Sequence, residues 1–395
     1  MSNARQPRPA ARTILPPFAP TTETARLALD TLYQRPVKGI PAWFINPMEH
    51  AHIERLAGAG PGDYKRDPHK VYLRALVNVG VCAIDQFIPE NPLSMGGHGY
   101  EGAKKGATTG AEEIVRDGMV IDSPEAVAEH LERFVFPALE RGIRDFDEEA
   151  RAREIVAKER AIQEEVGPTM LKTGYAFVRF PHLRYGAYGY ANYFMAYALY
   201  PELMERDFKL QGEAALLNNR AAARAYREGG MPPLYRLDHD MAASRGTLAR
   251  VESLDKVWFP HFARCIEPLV DEGVRLIWHC DGNLMEMVPR LLDCGLSGFQ
   301  GFQYEDGMDY ERICGMKTRD GEDLIIWAGV SVTTTLPHGK PEDVRRQMRW
   351  LVDKGPKAGL FLAASSSIAP GVPWENMEAF VEGLRYYREN GRGGG

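Results

Sequence analysis

The segment "WHCDGN", Trp278 to Asn283, sets an imidazole, a thiol, a carboxylate and an amide directly after "RLI", which ends in two apolar residues. Such a stretch is a polar strand end, an acid–base pair or part of a metal site. Side chains i and i+2 of a strand point the same way, so His279 and Asp281 share one face and Cys280 takes the other, as an inert packed thiol. The spacing recurs in "PLYRLDHD" (233–240), where Asp238 and Asp240 share a face opposite His239. Imidazole and carboxylate both bind divalent cations. A carboxyl group buried beside another carboxylate also has a raised pKa and can hold a proton for delivery to a leaving group. A lone strand-end His–x–Asp is more often a hydrogen-bonded structural pair. The functional reading gains weight only if several such ends share one mouth.

The spacing of apolar segments supplies that mouth. Eight strand candidates run along the chain, at 40–46, 80–87, 174–180, 233–240, 275–281, 297–303, 324–330 and 359–365, with helical stretches such as 253–273 and 341–355 between them. Strands alternating with helices predict an α/β protein, a (β/α)8 TIM barrel, with its active site at the carboxyl ends of the strands. Those ends deliver Asn46, then Asp85 and Gln86, then Asp238, His239 and Asp240. Next come His279 and Asp281, then Gln300, Gln303, Tyr304 and Glu305, and finally Ser365 to Ser367. The candidate catalytic residues are Asp85, Asp238, Asp240, His279 and Asp281. His279, Asp281 and Glu305 are candidate metal ligands, and Asn46, Gln300, Gln303 and Tyr304 candidate substrate contacts. Trp43, Tyr175 and Phe177 are more readily explained as packing.

One interval breaks the rhythm. Residues at about 90–170, after the second strand, read as an insertion: a Gly-rich loop (94–110), a short hairpin around "MVID", and a charged helical run from Ala138 that is a solvated surface. The Gly-rich loop lacks the phosphate-cradle motif, and its His98 and Tyr100 are weak candidates. Residues 1–20, rich in Pro and Arg, read as a disordered or arm-like tail, and 21–395 as a single barrel domain.

Composition bounds the rest. With 395 residues, 44% hydrophobic and 26% charged, the chain reads as globular, and a net charge of −6 argues against nucleic acid as a partner. No apolar run is long enough for a membrane span. The five cysteines form no CxxC pair, which favours a reducing cytoplasm.

"WHCDGN", the "FQ" that follows it, "AGVSVTTTLPHGKPEDV" and "LFLAASSSIAPGVPWEN" together resemble the uroporphyrinogen decarboxylase superfamily, over about residues 36 to 390 and weakest through the insertion. That superfamily includes cobalamin-dependent methyltransferases on the same barrel. The departures discriminate between branches. True decarboxylases carry an arginine-bearing segment after the first strand, but "WFINPMEH" (43–50) has no arginine. Asp85 matches the family's catalytic aspartate, whereas Ser366 stands where the decarboxylases have a histidine. A polycarboxylate porphyrinogen needs a basic mouth, and this mouth reads acidic. In the thiol-alkylating methyltransferases a His-x-Cys and a distant Cys hold zinc. His279 matches the His, while Asp281 and Ser366 replace the thiolates. The H-x-D-G-N version is similar to a subgroup associated with corrinoid-linked demethylation. The resemblance therefore implies methyl transfer from a small O-methyl (methoxyarene-like) or N-methyl substrate to a corrinoid held on a separate protein, with zinc as the implied metal and a homodimer favoured. A decarboxylase or lyase acting on a less anionic substrate is the alternative.

Overall fold

The structure is a computed structural model and describes residues 13–43, 46–90 and 114–393. In chain order the strands are β1 (Ala83–Ile84), β2 (Val115–Arg116), β3 (Met119–Val120), β4 (Leu171–Lys172), β5 (Leu234–Asp238), β6 (Ala242–Ala243), β7 (Gly246–Thr247), β8 (Arg275–His279), β9 (Gly298–Gln300), β10 (Ile325–Val330) and β11 (Leu360–Ala364). The principal sheet has five strands in the order β11-β10-β9-β8-β5, all parallel, and β1 pairs with β4 in a second parallel sheet. Parallel strands covered on both faces by helices must be apolar throughout, and β8, β10 and β11 are buried at every position. Single parallel bridges continue the pairing beyond the strands: Ala42 with Leu362, Trp43 with Ala83, and Gly174 with Tyr235.

Crossover helices cover the sheet. The helix Pro201–Gly229 opens on a proline, whose absent N–H costs nothing at a helix start. It closes on Gly230 in the left-handed region (φ 63°). It packs against Phe259–Asp271, where Gly212 lies so close to His261 that a Cβ there would sit 2.9 Å from the His261 Cβ. The helix Pro341–Lys354 turns Val344, Met348, Leu351 and Val352 inward, the one-sided stripe expected of a helix laid on a sheet.

Several expectations are displaced. The third strand was expected at 174–180, but pairing occurs earlier, at Leu171–Lys172 and the Gly174 bridge. Apolar pattern misleads here because Lys172 is buried, its Nζ 2.6 Å from Glu159 Oε2, and both side chains are almost fully enclosed. Ala176, with φ 62°, then breaks the extended run. The hairpin around "MVID" is present as β2–β3, with Asp117 and Gly118 both at positive φ in its turn. The charged run is helical but split into Phe136–Arg144 and Glu148–Val166, and the second helix is not wholly solvated: Ala152, Ile155, Glu159, Gln163 and Val166 are buried. Of the expected tail, residues 13–20 lie within the described part. Phe18 is buried and Leu15 N–H donates to Gly230 O at 3.1 Å, so this part is laid on its own chain. His98 and Tyr100 lie outside the described residues. Among the described residues no helix is long and apolar enough to cross a membrane.

Candidate functional site

Register decides which strand ends meet. Asp238 is the Cα partner of His279, and His279 of Gln300, so three adjacent strands end level with one another. Immediately after β8, Gly282 adopts φ 86°, and a Cβ there would sit 2.8 Å from the Ala243 backbone. Only glycine lets the chain turn back at that point, which leaves Asp281 on the rim beside the loop from β5. Asp281 N–H donates to Asp240 Oδ1 at 2.8 Å, and His279 Nε2 lies 3.9 Å from Asp281 Oδ1. Asp240, His279 and Asp281 each offer one ligand atom, and these atoms lie within 4.8 Å of one another. Cys280 faces away, as expected: it is buried, its Sγ accepts from Met241 N–H at 3.3 Å, and burial holds the thiol well above its ordinary range.

A second cluster adjoins the first. Arg236 donates from Nε to Asp85 Oδ2 and from Nη1 to Asp238 Oδ2, each at 2.8 Å, and its Nη2 has no partner. Asp85 and Arg236 are buried, while Asp238 is half-exposed. Trp43 packs beneath the guanidinium, 5.6 Å from its ring centre. This arginine corrects the reading of the mouth as purely acidic. A charged residue two positions before Asp238 in an otherwise apolar strand was the signal for it, since i and i+2 share a face.

The environments separate the carboxylates. Burial pushes Asp281 up, and although His279 opposes this, Asp240, Asp238 and Glu305 add to it; the net direction is upward. For Asp238 burial also acts upward, but His279 and Arg236 outweigh it and its pKa falls. Asp281 is thus the carboxyl group favoured to carry a proton, and Asp238 favoured to remain ionised. Behind them, His239 Nε2 accepts from Leu183 N–H at 3.0 Å and its ring lies 4.4 Å from that of His182. Burial, with each ring's cationic neighbour, lowers His182 to about 4 and His239 to about 3.

Other expected residues serve different ends. Glu305 stays outside the three-residue cluster, which includes Asp240 instead: it is exposed and accepts from Ser331 Oγ at 3.3 Å and from Thr333 Oγ1. Tyr304 donates to Gly329 O at 2.8 Å and packs with Phe302, Tyr310 and Trp350. Asn46 Oδ1 accepts from Tyr72 at 2.7 Å. Gln303 Oε1 accepts from Gly282 N–H and so braces the turn after Asp281. Gln300 donates to Ser365 O at 3.0 Å, leaving its buried Oε1 unpartnered.

The uroporphyrinogen decarboxylase (URO-D) family profile matches residues 238–387. Residues 238–387 are therefore similar to the URO-D family. Asp238, Asp240, His279 and Asp281 all fall within the URO-D match, whereas Asp85 and Arg236 precede it. A solved structure described as a methyltransferase from Methanosarcina mazei is similar in fold, with a TM-score of 0.54 and 16% identity, over 92% of this chain and 98% of that one. No curated protein matches the sequence significantly.

The donor set beside the URO-D strands fits a divalent metal. One imidazole nitrogen and two carboxylate oxygens are a set that zinc accepts, and small side-chain rotations bring atoms within 4.8 Å of one another onto a common ion. One feature departs from the usual arrangement: metal-bound histidines generally donate their other N–H, and His279 Nδ1 is buried without a partner.

Proposed function

We propose that the chain is a corrinoid-dependent methyltransferase of the demethylating kind, moving a methyl group from a small O-methyl or N-methyl substrate to a corrinoid on a separate protein. The observation that carries this reading is the meeting of Asp240, His279 and Asp281 at adjacent strand ends, within a domain whose superfamily the sequence resembles on the same residues. The bridges at Ala42, Trp43 and Gly174 support closing the two parallel sheets into the (β/α)8 barrel that would make this rim a single mouth, with residues at about 90–170 as its insertion.

An alkoxide, phenolate or amide anion is a poor leaving group, so the departing atom must be neutralised as its bond to carbon breaks. Asp281, pushed toward its protonated form, is placed to give up that proton. Asp85 and Asp238 are held as acceptors by Arg236 and orient a substrate donor. His279, its Nε2 3.9 Å from Asp281 Oδ1, offers that nitrogen to the same point. A divalent metal such as zinc, if held by Asp240, His279 and Asp281, would displace the proton from Asp281 and supply Lewis acidity at the departing atom in its place. The rim also bears more carboxylates than cations, which suits neutral or cationic substrates better than a polyanion.

A lyase reading is favoured by one observation, the URO-D profile itself. The two part on products. Purified protein is assayed for bound metal and for methylcobalamin formation from reduced cobalamin with methoxyarenes and methylamines. Methylcobalamin together with stoichiometric metal is expected. Carbon dioxide release that needs no cobalamin would replace the methyltransferase reading by the lyase one.

A further inference from the structure

Away from the strand-end rim, the connection between β1 and β4 and the segment after β4 border an open cavity of about 510 Å³ against the helix Pro201–Gly229. Its wall combines Arg141, Arg179 and Arg184 with Phe134, Val135 and Phe146. The apolar side has a local cause. Pro137 lacks an N–H, so the helical run through residues 124–144 widens to a π turn at Leu131–Val135, and this turn carries Phe134 and Val135 into the wall.

The cationic side is held in place from behind. Arg184 donates from Nε to Asp207 Oδ2 and from Nη2 to Asp207 Oδ1, both at 2.9 Å, and Asp207 is 0% exposed. Gln211 Nε2 donates to the same carboxylate at 2.8 Å. The backbone of Arg179 is clasped by buried Asn219: its N–H donates to Asn219 Oδ1 at 3.0 Å and its carbonyl accepts from Asn219 Nδ2 at 2.7 Å. Within the described residues, the side chains of Arg141 and Arg179 make no ion pair, while the one acid in the wall, Asp117, is taken by His130 Nε2 at 2.9 Å. Arg141 and Arg179 thus present their guanidiniums on the same wall as Arg184, and an anion there would gain charge-assisted hydrogen bonds.

We propose that this cavity binds a small organic anion with an apolar body, an aryl carboxylate or aryl phosphate, its charged head on Arg141 and Arg179 and its ring against Phe134 and Phe146. The volume lies in the range of small-molecule pockets. The site is separate from the strand-end cluster and stands whatever reaction occurs there.

Isothermal titration of the full chain with benzoate and phenyl phosphate tests it, with benzyl alcohol and inorganic phosphate as the ring-only and charge-only probes. At least one aryl anion is expected to bind about tenfold more tightly than either control, and the tighter of the two identifies the head group. Arg141→Ala and Arg179→Ala, both at exposed positions, are each expected to weaken that binding about tenfold, with circular dichroism unchanged. Arg153→Ala, an exposed arginine outside the cavity, is expected to leave it intact. Absence of binding by both aryl anions, equal weakening by Arg153→Ala, or inorganic phosphate binding as tightly as the aryl anions (an adventitious ion only) would overturn the proposal.

Discussion

Arg236 Nε and Asp85 Oδ2 are 2.8 Å apart in surroundings that leave each side chain only 1% exposed. Burying two charges is costly, and removing one partner is worse than removing both. Arg236→Met is expected to cost about 3–5 kcal/mol, because it strands a buried carboxylate. The double replacement Arg236→Met with Asp85→Leu should recover most of that loss. Urea unfolding measures both; a single-variant loss below about 1 kcal/mol would show that the pair is not buried as described.

Metal content distinguishes Asp240 from Glu305. Asp240→Ala and Asp281→Ala are each expected to abolish stoichiometric metal measured by mass spectrometry, since each removes one of three clustered ligands. Glu305→Gln should retain it, because that carboxylate is occupied by Ser331 and Thr333. Loss of metal in Glu305→Gln as complete as in Asp281→Ala would return Glu305 to the ligand set.

Gly301 leaves the space that the imidazole of His279 occupies. It has φ 76°, and a Cβ there would sit 2.4 Å from His279 Nδ1. Gly301→Ala combines a left-handed alanine, costing about 1–2 kcal/mol, with displacement of the ring. A lowered melting temperature together with weakened metal binding is expected. A variant with native melting temperature and full metal content would show that the ring does not depend on that space.

The buried histidines set the acid limb of stability. His182 and His239 have folded-state values of about 4 and about 3, below the ordinary 6.5. A base lowered on folding contributes stability above its unfolded value, and that contribution is lost as the pH falls from about 6.5 toward the folded values. Each histidine adds a slope of up to about 1.4 kcal/mol per pH unit in this window. His239→Gln, which keeps an acceptor for Leu183 N–H, should flatten the stability curve between about pH 6 and pH 4. An unchanged slope there would assign the acid limb to other groups.

Asp281 works in the opposite direction. Its pKa is raised on folding, so its favourable contribution is complete below the ordinary value of 3.8 and is lost as the pH rises through the folded value. With metal removed by chelation, Asp281→Asn is expected to stabilise the protein at pH 7, with the gain vanishing below about pH 4. Destabilisation at pH 7 under chelation would mean that the ionised carboxylate is held by favourable partners.

The chain itself determined the alternation of parallel strands with helices, because apolar runs such as "LIIWAGV" and "GLFLAAS" can be buried on both faces only in that way. It also determined that His279 and Asp281 share a face opposite Cys280, which follows from the two-residue period of a strand. What it could not determine was which carboxylates meet. Asp240 reaches the cluster, and Glu305 does not, because of a loop closure through Gly282 and the register between β5 and β8. Lys172 and Arg236 were hidden for a related reason: a buried charge is tolerated only beside its partner, and those partners, Glu159 and Asp85, lie 13 and 151 residues away along the chain. Periodicity is a local property readable from neighbouring residues, whereas charge compensation depends on distances that only the folded chain sets.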